Sequence, residues 1–235
     1  MAKKGKLIVL DGQDGTGKAT QAKLLIERLR KEGRKVQTLD FPQYENNLFG
    51  RLIGECLTGK HGNFIALSPY IASTLYAADR FESKKQIEVW LQKGYCVVLD
   101  RYVSSNQMHQ GGKFASLKER KIFLHWLDKV EHGVFGLPRP DAILYLSMPV
   151  SVSLRLLKNK ELSTKKSYTK GAPDTSEKDV RYLENAKKSA MRILKENGLW
   201  HKIDCAPKGT LLSKEEVHDL VFAQTARILQ IKKTD

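Results

Sequence analysis

The chain has 235 residues, 41% hydrophobic and 29% charged, the size and balance of one α/β domain with a full core rather than two. It lacks a run of about 18 apolar residues, which excludes a membrane span, and its apolar stretch Leu7 to Leu10 is too short for a secretory signal core, so a cytoplasmic protein is expected. The net charge of +15 is dispersed over Lys3 to Lys6, Arg28 to Lys35, Lys158 to Lys170 and the C-terminal lysines, with no zinc-finger or RNA-recognition signature. Phosphate-bearing small substrates together with a solvated surface explain it at least as well as nucleic acid, which is not expected as the main partner.

In chain order, Lys6 to Asp11 is an apolar run that ends at a glycine cluster, the pattern of a buried parallel strand. From Gly17 the period turns helical, with Ala22, Leu25, Ile26 and Leu29 on one face and Gly33 as the stop. Lys35 to Asp40 is a second strand, completing a βαβ unit. Helices are expected over 47–57, 69–93, 117–131, 150–157 and 180–196, and strands over 95–100, 141–146 and 200–204. A closing helix follows Ser213, which with Glu216 can form a capping box. The expected fold is a five-stranded parallel sheet with helices on both faces, spanning 1–235 as a single domain. The segment 158–175 breaks the pattern. It is lysine-rich, carries Gly171 and Pro173, and has no apolar period, so it reads as a basic lid. Cys56, Cys96 and Cys205 show no metal or disulfide spacing and read as inert thiols.

The chemistry concentrates in two places. The run GQDGTGK from Gly12 to Lys18 lies between a strand and a helix, where glycines let backbone N–H groups turn toward a phosphate and Lys18 adds a point charge. Gly12, Gln13, Asp14, Gly15, Thr16, Gly17, Lys18, Ala19 and Thr20 are accordingly the candidate ATP-binding residues. A hydroxyl normally follows the lysine and meets Mg²⁺, but position 19 is Ala; Thr20 lies about 100° further round the helix. Asp100 and Arg101 close the third strand, where the carboxyl ends of parallel strands flank the ligand crevice. There the carboxylate can hold metal-bound water and the guanidinium can grip two phosphates.

Several further pieces, in this order and spacing, resemble the thymidylate kinase family from end to end. They are LDGQDGTGK from Leu10, Phe41 with Pro42, LYAADR from Leu75 to Arg80, DRYVSSN from Asp100 to Asn106 with Gln110, Arg139 to Asp141, and DTSEKD from Asp174 to Asp179. The resemblance implies a P-loop kinase that moves the γ-phosphoryl of ATP to dTMP with Mg²⁺, and a second copy of the chain as its partner. It places dTMP against Asp14, Phe41, Pro42, Arg51, Tyr76, Arg80, Arg101, Ser105 and Gln110. Tyr76 stacks on the base, Arg80 bonds a base carbonyl and Arg101 holds the acceptor phosphate. The candidate catalytic residues are Lys18, Asp100, Arg101 and, just before the lid, Arg155; the candidate metal residues are Asp100 and, next after Ala19, Thr20. The chain departs from the family at Tyr44, where Arg is common and Arg51 is the candidate replacement. It departs again at His109, where Tyr is common, and in a lid with lysines instead of arginine. A deoxynucleoside kinase using Asp40 or Asp100 as base, a nucleotide-driven switch and an inactive kinase-derived scaffold remain open from the residues alone.

Overall fold

The computed structural model describes residues 4–161 and 179–231. Its elements in order are β1 Lys6–Gly12, α1 Lys18–Lys31, β2 Val36–Asp40, α2 Leu48–Leu57, α3 Pro69–Glu82, α4 Lys84–Gln92, β3 Cys96–Asp100, α5 Val103–His109 and α6 Leu117–Asp128. A π turn at Lys129–Val134 follows, then β4 Ala142–Ser147, α7 Val150–Glu161, α8 Val180–Glu196, β5 Trp200–Asp204 and α9 Lys214–Leu229. The five strands form one parallel sheet in the order β2-β3-β1-β4-β5. None of the described helices is long and apolar enough to cross a membrane.

The central strands β1, β3 and β4 are apolar without alternation because both faces of the sheet are covered there, whereas the edge strands β2 and β5 carry partly exposed polar residues. Ile8, Leu10, Val98, Leu144 and Leu146 pack on one side with Leu25, Leu29 and Val221. Leu7, Val9, Val97, Leu99 and Tyr145 pack on the other with Ile87, Met108 and Ile193. Each large aliphatic side chain buried this way stabilises by roughly 1.5–3 kcal/mol, so a one-residue slip of register would be costly. A third, smaller core of Ile53, Cys56, Leu57, Phe64 and Ala72, with Tyr44 and Tyr76 against it, lies under α2 and α3.

The strand order decides where the chemistry can assemble. β2, β3 and β1 are neighbours, with Asp40 opposite Asp100 and Leu10 opposite Asp100. The Phe41 N–H donates to the Asp100 carbonyl at 2.9 Å and the Arg101 N–H to the Leu10 carbonyl at 2.9 Å. Three loops, after β1, β2 and β3, are thereby laced side by side at the carboxyl edge.

The expected helices differ from the structure in four places. The helix expected over 69–93 breaks at Ser83, whose N–H turns back to the Arg80 carbonyl while its Oγ accepts from Asn47. The break lets Ile87 and Leu91 face the sheet while Arg80 faces the cleft. The helix expected to end at Glu131 instead widens into the π turn, with the Phe135 N–H reaching the Val130 carbonyl. Helix α5, within the segment after Asp100, was not expected, and α7 extends four residues beyond the expected Leu157. Most of the lid expected at 158–175 lies outside the described residues. The capping box of Ser213 and Glu216 is present.

Candidate active site

The phosphate loop is shaped by its glycines. Gly15 has φ 81°, and a Cβ there would sit 2.3 Å from the Ser153 carbonyl of α7, so only glycine lets α7 lie against the loop. Gln13 ties the loop to α8 as well, its Nε2 donating to the Leu183 carbonyl at 2.5 Å. Both helices flanking the lid segment therefore rest on the phosphate loop. Lys18 is buried, with Nζ donating to the Gln13 carbonyl at 2.9 Å and standing 3.7 Å from Asp14. Burial lowers its pKa and Arg101 adds to this, while Asp14, Asp100 and Asp11 oppose it.

Arg101 enters the same place from the end of β3 with φ 66°, a left-handed conformation that a non-glycine residue holds only when its surroundings demand it. Its Nη2 donates to Asp14 at 2.5 Å, and its Nη1 lies 3.8 Å from Asp11 and 3.4 Å from the Ser105 Oγ. Burial works against the Arg101 charge, but Asp14, Asp11 and Asp100 outweigh it and raise its pKa. Asp11 is fully buried and accepts from the Gly12 N–H, Ser104 and Ser105. It thus fixes the loop entrance and α5 together. Asp100 differs: its Oδ1 is buried with no hydrogen-bond partner among the described residues, and burial raises its pKa against the pull of Lys18 and Arg101. A carboxylate with an uncommitted oxygen beside two cations fits Mg²⁺, which binds through one or two carboxylates, waters and substrate phosphates. Ala19 and Thr20 are both exposed on α1.

A cleft of about 810 Å³, counted with its open mouth, runs from this corner over the third core. Asp14, Arg101 and Ser105 line one part of it, and Phe41, Pro42, Tyr76, Arg80 and Gln110 the rest, so eight of the nine residues expected to meet dTMP share one cavity. Arg51 is not among them and lies on the exposed face of α2. Arg155 is exposed on α7, two residues beyond the Ser153 carbonyl that packs on Gly15.

Arg80 is more deeply bound than its motif suggests. It is almost wholly buried, with Nε donating to Glu131 at 3.0 Å, Nη2 to the other Glu131 oxygen, and Nη1 to the Tyr102 carbonyl at 3.3 Å. One residue earlier, Asp79 accepts from the Gln43 N–H and from Asn47, holding the loop that carries Phe41 and Pro42. Burial pushes Asp79 up to about 6. Gln110 keeps a buried Oε1 with no partner among the described residues. His109 stacks on Tyr182 of α8 with ring centroids 5.5 Å apart. Burial, with Arg101 second, pushes it down to about 3, so the ring is neutral at pH 7.

Sequence reasoning passed over Asp11, Asn106, Lys113, Glu131 and Tyr182. Asn106, Lys113 and Tyr182 line the cleft, and Asn106 lay inside a quoted motif without a role. Lys113, whose Nζ donates to the Leu67 carbonyl, is lowered to about 8 by burial. Nothing local marks Glu131, because its partners are 51 and 25 residues away.

Comparison with known proteins gives one answer. The thymidylate kinase family model matches residues 10–220. The chain is 33% identical over 222 residues to a probable thymidylate kinase of Pyrococcus abyssi, covering 94% of this chain and 95% of that one. It is 35% identical over 148 residues to a thymidylate kinase of Mycobacterium tuberculosis, covering 63% of this chain and 68% of the relative. The solved structure of thymidylate kinase from Candida albicans superposes with a TM-score of 0.68 at 26% identity, covering 97% of this chain and 92% of that chain.

Proposed function

The chain belongs to the thymidylate kinase family, and from that premise we propose that it transfers the γ-phosphoryl group of ATP to dTMP, giving dTDP and ADP. The observation that carries the reading is the single cleft: Arg101 beside the phosphate loop at one part of it, Tyr76 and Arg80 at another. That spacing suits a nucleotide whose phosphate must meet the donor while its base is read some distance away. Residues 1–235 are read as one kinase domain.

Phosphoryl transfer between two phosphates is chiefly positioning and charge neutralisation. Lys18 neutralises the donor's terminal phosphates and Arg101 the acceptor phosphate, so two anions are gathered without repulsion. The acceptor phosphate is already ionised at neutral pH, so no strong base is required. The family chemistry calls for Mg²⁺. Asp100 would hold it through water, with Thr20 the weaker candidate, and the ion would neutralise charge on the donor phosphates. Arg155, on α7 just before the lid, and the lysines of the proposed lid at 158–175 are the candidate cations for the transferring phosphate.

A homodimer is the proposed assembly. Helix α3 packs on both α2 and α6, and these helices expose Leu48, Phe49, Ile71, Leu117 and Ile122, an apolar surface suited to cover by a second copy. Three free buried cysteines are in keeping with a reducing, cytoplasmic setting.

The test is ADP release measured with ATP, Mg²⁺ and, in turn, dTMP, dUMP, thymidine or no acceptor. The reading predicts release that depends on a pyrimidine monophosphate, fastest with dTMP. Equal release with thymidine would indicate a nucleoside kinase, and acceptor-independent release a nucleotide hydrolase.

A further inference from the structure

Glu131 is a fully buried carboxylate on the π turn, and phosphoryl transfer makes no use of it. Its two oxygens are spent on two residues that line the cleft. Arg80 gives it Nε and one Nη2 hydrogen, and a third Arg80 donor goes to the Tyr102 carbonyl. A guanidinium has five N–H groups, so two remain, one on each terminal nitrogen. Asn106 gives its Nδ2 to Glu131 at 2.8 Å and to the Ser73 carbonyl at 3.2 Å. Both partners only accept, so chemistry fixes which end of the Asn106 amide faces them, and Oδ1 is left as the group's remaining hydrogen-bonding atom.

We propose that Glu131 is a positioning residue that sets which base edge the cleft reads, holding Arg80 as a donor and Asn106 as an acceptor. A 4-oxo pyrimidine offers the complementary edge: O4 accepts and N3–H donates. A 4-amino pyrimidine offers the reverse, a donating N4 amine and an accepting N3, and would leave donors facing donors. Sites built to hydrogen-bond one pattern reject its inverse strongly, because buried polar groups are then left unpaired. The arrangement explains why a carboxylate is buried with no solvent and no catalytic duty. It cancels the Arg80 charge, so a neutral base meets directed hydrogen bonds rather than a bare cation. The inference rests on the reading of the cleft as the dTMP site.

Glu131→Gln tests it. The new amide presents a donor where only acceptors stood; if Asn106 turns its amide over to accept it, Oδ1 then opposes the Ser73 carbonyl, so in either orientation the Asn106 acceptor is no longer held toward the base. The expected result is at least a tenfold fall in the kcat/KM ratio of dTMP to dCMP, with the dTMP loss carried mainly by KM. The KM for ATP should stay within about twofold. A merely structural role would slow both acceptors alike. A folded Glu131→Gln protein whose dTMP to dCMP ratio stays within twofold of wild type overturns the proposal. Glu131→Asp keeps the charge but draws the shared oxygen back from both Arg80 and Asn106, so neither is held as closely and its ratio should fall between the other two. Should the Gln variant fail to fold, the Asp variant decides by the same ratio, and an unchanged ratio there overturns the proposal. Wild-type protein assayed in parallel separates the two levels, since no turnover of dTMP by wild type would sink the functional reading instead.

Discussion

Arg80 and Arg101 border the same cleft, and each is paired with carboxylates, yet the two ends they serve are built on opposite plans. Arg80 is 2% exposed and its partner Glu131 0%. Most of its donors are spent on Glu131 of the π turn and on the Tyr102 carbonyl just before α5, so its charge is cancelled inside the protein. Arg101 is 17% exposed and its partner Asp14 28%, both at the cleft surface and beside Lys18. A neutral base needs directed hydrogen bonds and little net field, whereas a phosphate needs net positive charge within reach. One end is therefore a self-neutralised frame, and the other a cluster whose charges stay available.

The largest expected effects separate the two arginines. Arg80→Ala strands Glu131 as an unpaired buried charge, which costs about 3–5 kcal/mol of stability. At roughly 2–4 °C per kcal/mol for a chain of this size, the melt should fall by about 10 °C. Arg101→Ala should lower kcat/KM for dTMP by about 10²–10³-fold while the melt moves only a few degrees. Thermal melts and steady-state kinetics on both proteins check this, and equal melting losses would break the comparison.

Asp79 sharpens it at the base end. Burial raises its pKa from 3.8 to about 6, against Asn47, Arg80 and the Gln43 N–H, with Glu82 also raising it. A raised folded pKa means the group's stabilising contribution is complete below pH about 4 and is lost as pH rises through about 6. Asp79→Asn does not titrate, so its stability relative to wild type should improve between pH 4 and 8 by on the order of 3 kcal/mol. Denaturation at several pH values measures the trend, and a flat or reversed difference would contradict the burial argument. At the phosphate end, Gly15→Ala meets both a left-handed backbone and the Ser153 carbonyl. A loss of about 1–3 kcal/mol is expected, together with slower turnover, because α7 must move off the loop. The smallest effect is Ala19→Ser, which should reduce the Mg²⁺ needed for half-maximal rate a few-fold. An unchanged requirement would mean that Thr20 or solvent already serves.

The same contrast explains what could be read from the residues. The phosphate loop is contiguous and made mostly of backbone, so the spacing of Gly12, Gly17 and Lys18 between a strand and a helix discloses it. The strands were legible because double coverage leaves unbroken apolar runs, as at Leu7 to Leu10 and Ala142 to Leu146. The acceptor frame was not. Glu131 became meaningful only once a π turn and a helix break at Ser83 brought it to Arg80, 51 residues away. Asp11 reads as the polar end of a strand, and only the fold places Ser104 and Ser105, 93 and 94 residues on, against it. Local periodicity carries no information about such partners. Arg51 was expected among the dTMP-binding residues as the replacement for an arginine at Tyr44 and instead lies on the exposed side of α2, since a helix face cannot be assigned from motif distance alone.

One cleft is proposed to bring a donor phosphate and a pyrimidine monophosphate together for direct transfer. The most direct measurement follows the label from ATP carrying ³²P at the γ position, with dTMP and thymidine offered together and products separated by chromatography. Label should appear in dTDP, at a rate set by dTMP and slowed by about 10²–10³-fold in Arg101→Ala. Label appearing in dTMP, or accumulating as inorganic phosphate whether or not dTMP is present, would contradict it.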